Sequence, residues 1–240
     1  MRRRFFVDEV RNGQARIAGD EARHLTRVLR VEAGQRYEIS DNRSVYLAEI
    51  ETARKESVVF RTLEKLPEPP TSVRIELYAA LIKFDRFEWI VEKATELGVT
   101  EIVPVEATRS DRGLEKAAGK RVERWRRIAL EASQQSRRAI LPEIAEPVLL
   151  NDAIARTASY RYALDENPGA VPLLQALPAL RAAQDTVAIL TGPEGGWTDE
   201  ERASFTAAGW TPVSVGPLIL RAETAVVAAL AVISQAWLLN

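Results

Sequence analysis

Residues 1–68 carry short alternating runs of apolar and polar positions, and from Val73 the chain changes to longer apolar runs separated by helical spacings. In the first part Arg3–Val7 reads as a strand, and Asn12-Gly13 as a hairpin turn leading into Gln14–Ala18. Asp20 is placed to cap a short helix with Ala22, Leu25, Val28 and Leu29 on one face. Gln35–Ser40, Val45–Ala53 and Ser57–Leu66 read as further strands, with Asp41-Asn42 as a turn. Five strands and one helix predict a small closed or nearly closed β-barrel. Pro67, Pro69 and Pro70 resist helix and sheet and stiffen the connection that follows. The expected division is therefore a barrel domain over 1–68, a linker over 69–72 and a second domain over 73–240.

In the second part Val73–Ile82 is nearly continuous apolar, as in a strand covered on both faces. Phe87, Ile90, Val91, Ala94 and Leu97 fall at helical spacing, and Gly98 is placed to end that helix. Val99–Ala107 reads as a strand, 109–113 as a polar loop, and Leu114–Ser136 as a helix burying Ala118, Val122, Trp125, Ala129 and Ala132. Tyr160–Asp165 is a strand followed by an Asn167-Pro168-Gly169 turn, and Pro172–Arg181 a helix interrupted at Pro178. Thr186–Leu190 and Thr211–Val215 are the last strands, and Ala222–Leu239 is a final helix, apolar nearly all round, which must be buried in a core or a subunit interface. Alternating strands and helices predict an α/β domain with a mostly parallel sheet.

Composition narrows the chemistry. The 240 residues contain no cysteine and one histidine, His24. That excludes thiolate metal sites, iron–sulfur clusters and cysteine nucleophiles, and it argues against a multi-histidine metal site or a Ser-His-Asp triad. No early segment is flanked like a signal peptide, and Ala225–Leu239 is too short for a membrane span. The expectation is a soluble, cytoplasmic protein without metal. The net charge is only −1, but Arg109–Arg138 holds ten Lys/Arg against four acids, whereas Ala139–Asn240 holds five Arg against eleven acids. Such a basic segment fits a face that meets a phosphate backbone, or a solvated helix with intrahelical ion pairs.

Candidate chemistry concentrates in two loops. Leu190-Thr191-Gly192-Pro193-Glu194-Gly195-Gly196-Trp197 follows a strand and precedes Thr198-Asp199-Glu200-Glu201, a capping-box spacing that opens a helix. Val215–Arg221 likewise follows a strand and precedes the final helix. Glycine-rich turns at strand ends admit a ligand close to the main chain. The first loop lacks the P-loop lysine and the G-x-G-x-x-G spacing, so taken alone it leaves the ligand open, or it is a structural turn.

Leu190–Gly196 followed by Leu218-Ile219-Leu220-Arg221-Ala222-Glu223-Thr224-Ala225 closely resembles the ribosomal RNA small-subunit methyltransferase E family, of the SPOUT superfamily. So do Lys83 with Lys93–Val99, and Glu131–Arg138 followed by Pro142. His24–Arg30 resembles the family's PUA-like RNA-binding domain. The resemblance covers almost the whole chain. It implies a trefoil knot at the C-terminal end, a homodimer, S-adenosyl-L-methionine as cofactor, and methylation of N3 of a uridine in small-subunit ribosomal RNA. Two departures stand out. Pro217-Leu218 replaces a basic residue usual in the family, and Arg137 stands where the family often has glycine.

On that basis the cofactor is expected at Leu190, Thr191, Gly192, Pro193, Glu194, Gly195, Gly196, Val215, Gly216, Leu218, Ile219, Leu220, Thr224 and Ala225, chiefly through the main chain. Arg221 and Arg138 are candidates for orienting the uracil or stabilising its anion. Glu194 and Glu223 are candidate bases, with structural roles as the alternative. RNA contact is expected at His24, Arg27, Arg30, Arg109, Arg112, Gln135 and Arg138, although a lone His24 is more often a surface or packing residue. The rival readings are a non-catalytic RNA-binding or ribosome-assembly factor that keeps the fold, and a SPOUT methyltransferase acting on another RNA.

Overall fold

The computed structural model describes residues 3–67 and 73–238, so the expected linker 69–72 lies outside the described residues. The chain divides into two units, Met1–Pro70 with Ser133–Leu141, and Thr71–Ala132 with Pro142–Asn240.

The first unit contains β1 (Arg4–Phe6), β2 (Gln14–Ala18), α1 (Gly19–Arg27), β3 (Arg36–Ser40), β4 (Val45–Arg54) and β5 (Ser57–Lys65). They form one curled sheet in the order β1-β3-β4-β5-β2, antiparallel except for the β1–β3 pair. Register shifts in the β4–β5 pairing between Leu47 and Ala48 and between Ile50 and Thr52 bend the sheet. Its concave side packs Phe5, Ile17, Ile39, Ile50 and Phe60 against Ala22 and Leu25 of α1. Asn12 and Gly13 both have positive φ, as a type I′ turn requires, and join Arg11 to Gln14. Two local expectations fail. Asp20 lies inside α1, whose N-cap is Ala18, and its carboxylate pairs with Arg23. Val28 is exposed, because α1 ends at Arg27 and the apolar face ends with it.

Ser133–Leu141 is fastened to this unit by polar contacts. Ser40 Oγ donates to the Ala139 carbonyl at 2.6 Å, the Leu141 amide donates to Asn42 Oδ1 at 2.7 Å, and Gln134 Nε2 donates to Glu21 at 3.0 Å. Arg137 has φ +60°, and Glu38 accepts from both Arg4 and Arg137.

The second unit runs β6 (Arg74–Ala80), α2 (Phe84–Glu96), β7 (Glu101–Glu106), α3 (Leu114–Ala118) and a 3-10 turn at Gly119–Arg121. It continues with α4 (Val122–Ser136, whose last residues belong to the first unit), β8 (Glu143–Ile144), β9 (Val148–Leu149), α5 (Leu150–Ile154), β10 (Tyr160–Leu164) and β11 (Val171–Pro172). Then come α6 (Leu173–Ala176), β12 (Thr186–Thr191), α7 (Asp199–Ala207), β13 (Thr211–Ser214) and α8 (Ala222–Leu238). The sheet order is β11-β13-β10-β12-β6-β7-β8, with β9 also on β7, and every ladder is parallel. Alternate residues of the central strands enter two cores. Ile75, Leu77, Val187 and Ile189 face a cluster with Phe87, Ile90, Val226, Leu230 and Ile233, while Tyr78, Ala188 and Leu190 face one with Trp197, Phe205 and Trp210. This is why those strands are apolar throughout.

The helix expected over Leu114–Ser136 is interrupted at Gly119, a weak helix former. That expected over Pro172–Arg181 shrinks to α6, because Leu177 precedes Pro178 and is held extended at φ −68° and ψ 143°. α8 buries Val226, Ala229, Leu230, Ile233 and Trp237 and leaves Val227, Ala228 and Ala231 half-buried. Among the described residues no helix is long and apolar enough to cross a membrane.

Candidate functional site

Three neighbouring parallel strands, β13, β10 and β12, end at one edge of the sheet, and the loops that leave them enclose a cavity of about 820 Å³. Carboxyl ends of parallel strands are where open α/β sheets take ligands, and the volume is that of a small-molecule site. The loop after β12 supplies Thr191–Gly196, the loop after β13 supplies Ser214–Arg221, and the loop after β10 supplies Asp165–Pro168 and Ala170. Leu164 of β10, Val213 of β13, Arg86 of α2, and Ala222 and Ala225 of α8 complete the lining.

The glycine loop is held from beneath by close packing. A Cβ on Gly192 would lie 3.0 Å from the Trp197 ring, and one on Gly195 would lie 3.0 Å from Arg109 Cβ. Gly196 has φ +69°, and a Cβ there would lie 2.5 Å from Glu166 Oε1. Trp197 is fully buried, and its indole N–H donates to the Leu164 carbonyl at 2.9 Å, tying the loop to β10. The helix after the loop starts as its sequence predicts. Thr198 and Glu201 form a complete capping box, and Glu201 also accepts from the Thr108 amide at 2.8 Å.

Three arginines fasten the loops. Arg86 pairs with Glu194, and Arg109 Nη1 donates to the carbonyls of Gly195 and Trp197, both at 3.1 Å. Arg202 of α7 grips Asp165 through Nε and Nη2, donates from Nη2 to Glu166 at 3.1 Å and from Nη1 to the Trp197 carbonyl at 2.8 Å, and lies 3.3 Å from Asp199. The hydrogen bonds to Asp165, with the other carboxylates nearby, push the Arg202 guanidinium up.

Among the expected cofactor residues, Thr191–Gly196, Val215, Gly216, Leu218, Ile219, Leu220 and Ala225 line the cavity. Leu190 does not: its side chain is fully buried in the core behind the loop. Thr224 is exposed and lies outside the lining. Leu218 and Ile219 are 76% and 85% exposed, large apolar side chains on the rim. Arg221 lines the cavity and opens α8, whereas Glu194 is engaged by Arg86. Glu223, in the first turn of α8, has its Oε2 buried without a hydrogen-bond partner among the described residues.

Arg138 is not among the lining residues. It belongs to the first unit, where its Nε donates to the Ile140 carbonyl at 3.0 Å, and burial pushes its guanidinium down to about 10, so that it stays charged at neutral pH. In the same unit His24, Arg27, Arg30 and Gln135 are exposed. In the second unit Arg112, Lys116, Lys120 and Arg127 are exposed, but Arg124 is bidentate on Glu88, and Arg126 pairs with Glu123 and Glu146. Part of the basic segment is therefore neutralised by neighbouring elements.

The reading of two loops missed the third. Asp165 and Glu166 stand at the end of a predicted strand, but only the strand order brings them beside the glycine loop, where an acid is a familiar nucleotide contact. Arg86 and Arg202 carried no sequence signal, because arginines on helices are commonplace and only the fold brings these two to the loops.

The sequence model of an RNA methyltransferase domain matches residues 69–234, and that of an RNA methyltransferase PUA domain matches 17–63. The chain is 34% identical over 215 residues to the ribosomal RNA small subunit methyltransferase E of Synechocystis sp., covering 88% of this chain and 69% of that one. It is 30% identical to the protein of the same name from Aquifex aeolicus, covering 95% and 97%. It also resembles, with a TM-score of 0.87 and 28% identity over 99% of this chain and 98% of the other, the crystal structure of a ribosomal RNA small subunit methyltransferase E from Neisseria gonorrhoeae bound to S-adenosyl methionine.

Proposed function

The chain belongs to the ribosomal RNA small subunit methyltransferase E family, and from that premise we propose that it transfers the methyl group of S-adenosylmethionine to N3 of a uridine in small-subunit ribosomal RNA. The observation that carries this reading is the cavity at the ends of β13, β10 and β12, bounded by glycine main chain on one loop and by Leu218, Ile219 and Leu220 on the other. Those residues fit the cofactor. Apolar side chains cover the faces of a purine, and close-packed glycine backbone offers N–H and C=O groups to its edge. When bound, the cofactor supplies a methyl group that its sulfonium makes transferable.

The protein's part is to orient the acceptor, exclude water and receive a proton, because the uridine imide N–H must lose its hydrogen. Arg221 stands at the cavity rim with its charge available to stabilise the uracil anion. Glu194 lines the cavity with its Oε1 on Arg86, whereas Glu223 lies outside the lining but keeps a buried Oε2 without a partner among the described residues; in this reading Glu194 braces the loop and Glu223 receives the proton. Arg138, charged at neutral pH, joins His24, Arg27, Arg30 and Gln135 in RNA contact from the first unit, and Arg112 adds contact from the second. In the same reading the C-terminal part of the second unit is trefoil-knotted. The half-buried Val227, Ala228 and Ala231 of α8 pack against a second copy, giving a cytoplasmic homodimer that acts in ribosome biogenesis. The test is methylation of small ribosomal subunits, and of their naked RNA, with labelled cofactor followed by site mapping. Label at a single uridine N3 supports the reading, and label absent from both substrates, or at another atom, sinks it.

A further inference from the structure

Two carboxylates at the cavity are each held by one oxygen, Glu194 by Arg86 and Glu166 by Arg202. Asp165 and Glu166 follow β10, which lies between the two strands that carry the other cavity loops. The Asp165 side chain is only 3% exposed and is spent on Arg202 and on the Asn167 amide. The Glu166 side chain is 43% exposed and lines the cavity. Its Oε1 accepts from Arg202 Nη2 at 3.1 Å, while its Oε2 accepts nothing among the described residues. The carboxylate also lies against the main chain of Gly196, where a side chain would displace it. Arg202 serves Asp165, Glu166 and Asp199 together, so one guanidinium faces three carboxylates and Glu166 keeps negative charge to offer a ligand.

We propose that Glu166 selects the ribose of the cofactor: its Oε2, held in place through Oε1 and Arg202, accepts the hydroxyls of the nucleoside's cis-diol. The inference rests on the cofactor reading above and names a contact within that site. Three features carry it. A carboxylate anchored by one oxygen presents the other without a rotamer search, so little ordering remains to be done on binding. A vicinal diol presents two O–H donors that match a carboxylate. The position, at the end of the strand beside the glycine-loop strand, is the one from which an acid holds ribose hydroxyls in dinucleotide folds.

The experiment is calorimetric titration of the wild type, Glu166→Ala and Glu166→Gln with S-adenosylhomocysteine, its 2′,3′-dideoxy analogue and its desamino analogue. Thermal melting confirms that each variant is folded. A hydrogen bond to a charged acceptor sets the expected scale at about tenfold in affinity or more. Loss of the diol should weaken wild-type binding by at least that factor and should cost Glu166→Ala almost nothing, with Glu166→Gln between them. An equal diol penalty in wild type and Glu166→Ala overturns the inference. So does a penalty in Glu166→Ala that vanishes only with the desamino analogue, which would give Glu166 to the ligand's ammonium. If folded wild type fails to bind S-adenosylhomocysteine at all, the cofactor reading itself is overturned, and this inference with it.

Discussion

Arg109 and Gly195 hold each other in place. Arg109 Nη1 donates to the Gly195 carbonyl at 3.1 Å and to that of Trp197 at the same distance, while a Cβ on Gly195 would press on Arg109 Cβ at 3.0 Å. A residue that composition assigns to RNA contact thus has its guanidinium on two carbonyls of the glycine loop. Arg109→Ala should therefore weaken S-adenosylhomocysteine binding by about tenfold, the order of two charge-assisted hydrogen bonds partly screened by solvent, and leave RNA affinity nearly unchanged. Calorimetry and RNA filter binding on the same variant check this, and the opposite pattern would make Arg109 an RNA residue.

The Trp197 indole predicts a stability effect separable from binding. Trp197→Phe keeps most of the apolar contact with Phe205 but leaves the buried Leu164 carbonyl without its donor. An unmet buried acceptor costs about 1–3 kcal/mol, so the urea midpoint should fall by that equivalent. An unchanged midpoint would mean that the ring, not its N–H, anchors the loop.

Glu194 and Glu223 should separate kinetically. Glu223→Gln should lower turnover by about a hundredfold or more, the usual scale of a lost proton acceptor, without changing cofactor affinity. Glu194→Gln breaks the pair with Arg86 and should act on cofactor affinity instead. The roles are exchanged if Glu194→Gln loses turnover at unchanged cofactor affinity and Glu223→Gln loses affinity instead.

Much of this was legible before the fold. The capping box at Thr198 and Glu201, the helical face from Ala118 to Ala132 and the buried strands follow from one short polar pattern, a period of 3.6 and unbroken apolar runs. What was not legible depends on strand order. Nothing local says that β10 lies between β12 and β13, so the contribution of Asp165 and Glu166 waits for the topology. Short pieces also escaped: β8, β9 and α5 span two, two and five residues and owe their form to pairing with β7 and packing rather than to a period. Arg137 is a third kind of case. Its φ of +60° is one that glycine adopts at no steric cost, and here a pairing with Glu38 holds an arginine there.

Arg221→Ala should lower turnover far more than cofactor affinity, because the side chain is exposed at the rim, whereas in the proposed reading main chain and apolar side chains hold the cofactor. Single-turnover rates alongside S-adenosylhomocysteine titration test it, and wild-type turnover would remove Arg221 from the mechanism.

Glu21 predicts a dependence of stability on pH. Burial raises its carboxyl pKa above the ordinary 4.5, the Gln134 Nε2 bond at 3.0 Å opposes the rise in part, and Asp8 adds to it. The folded chain therefore holds the Glu21 proton more tightly than the unfolded chain does. Its contribution to stability is fully present below 4.5 and is lost as pH climbs through the raised folded value. Glu21→Gln removes the ionisation while keeping an oxygen that Gln134 can reach. The variant should be more stable than wild type at pH 7, and the difference should shrink to nothing at pH 4. Denaturant midpoints for both proteins across that range measure it. An equal difference at the two ends would show that Gln134 bonding, not burial of the charge, governs this contact between α1 and the Ser133–Leu141 segment.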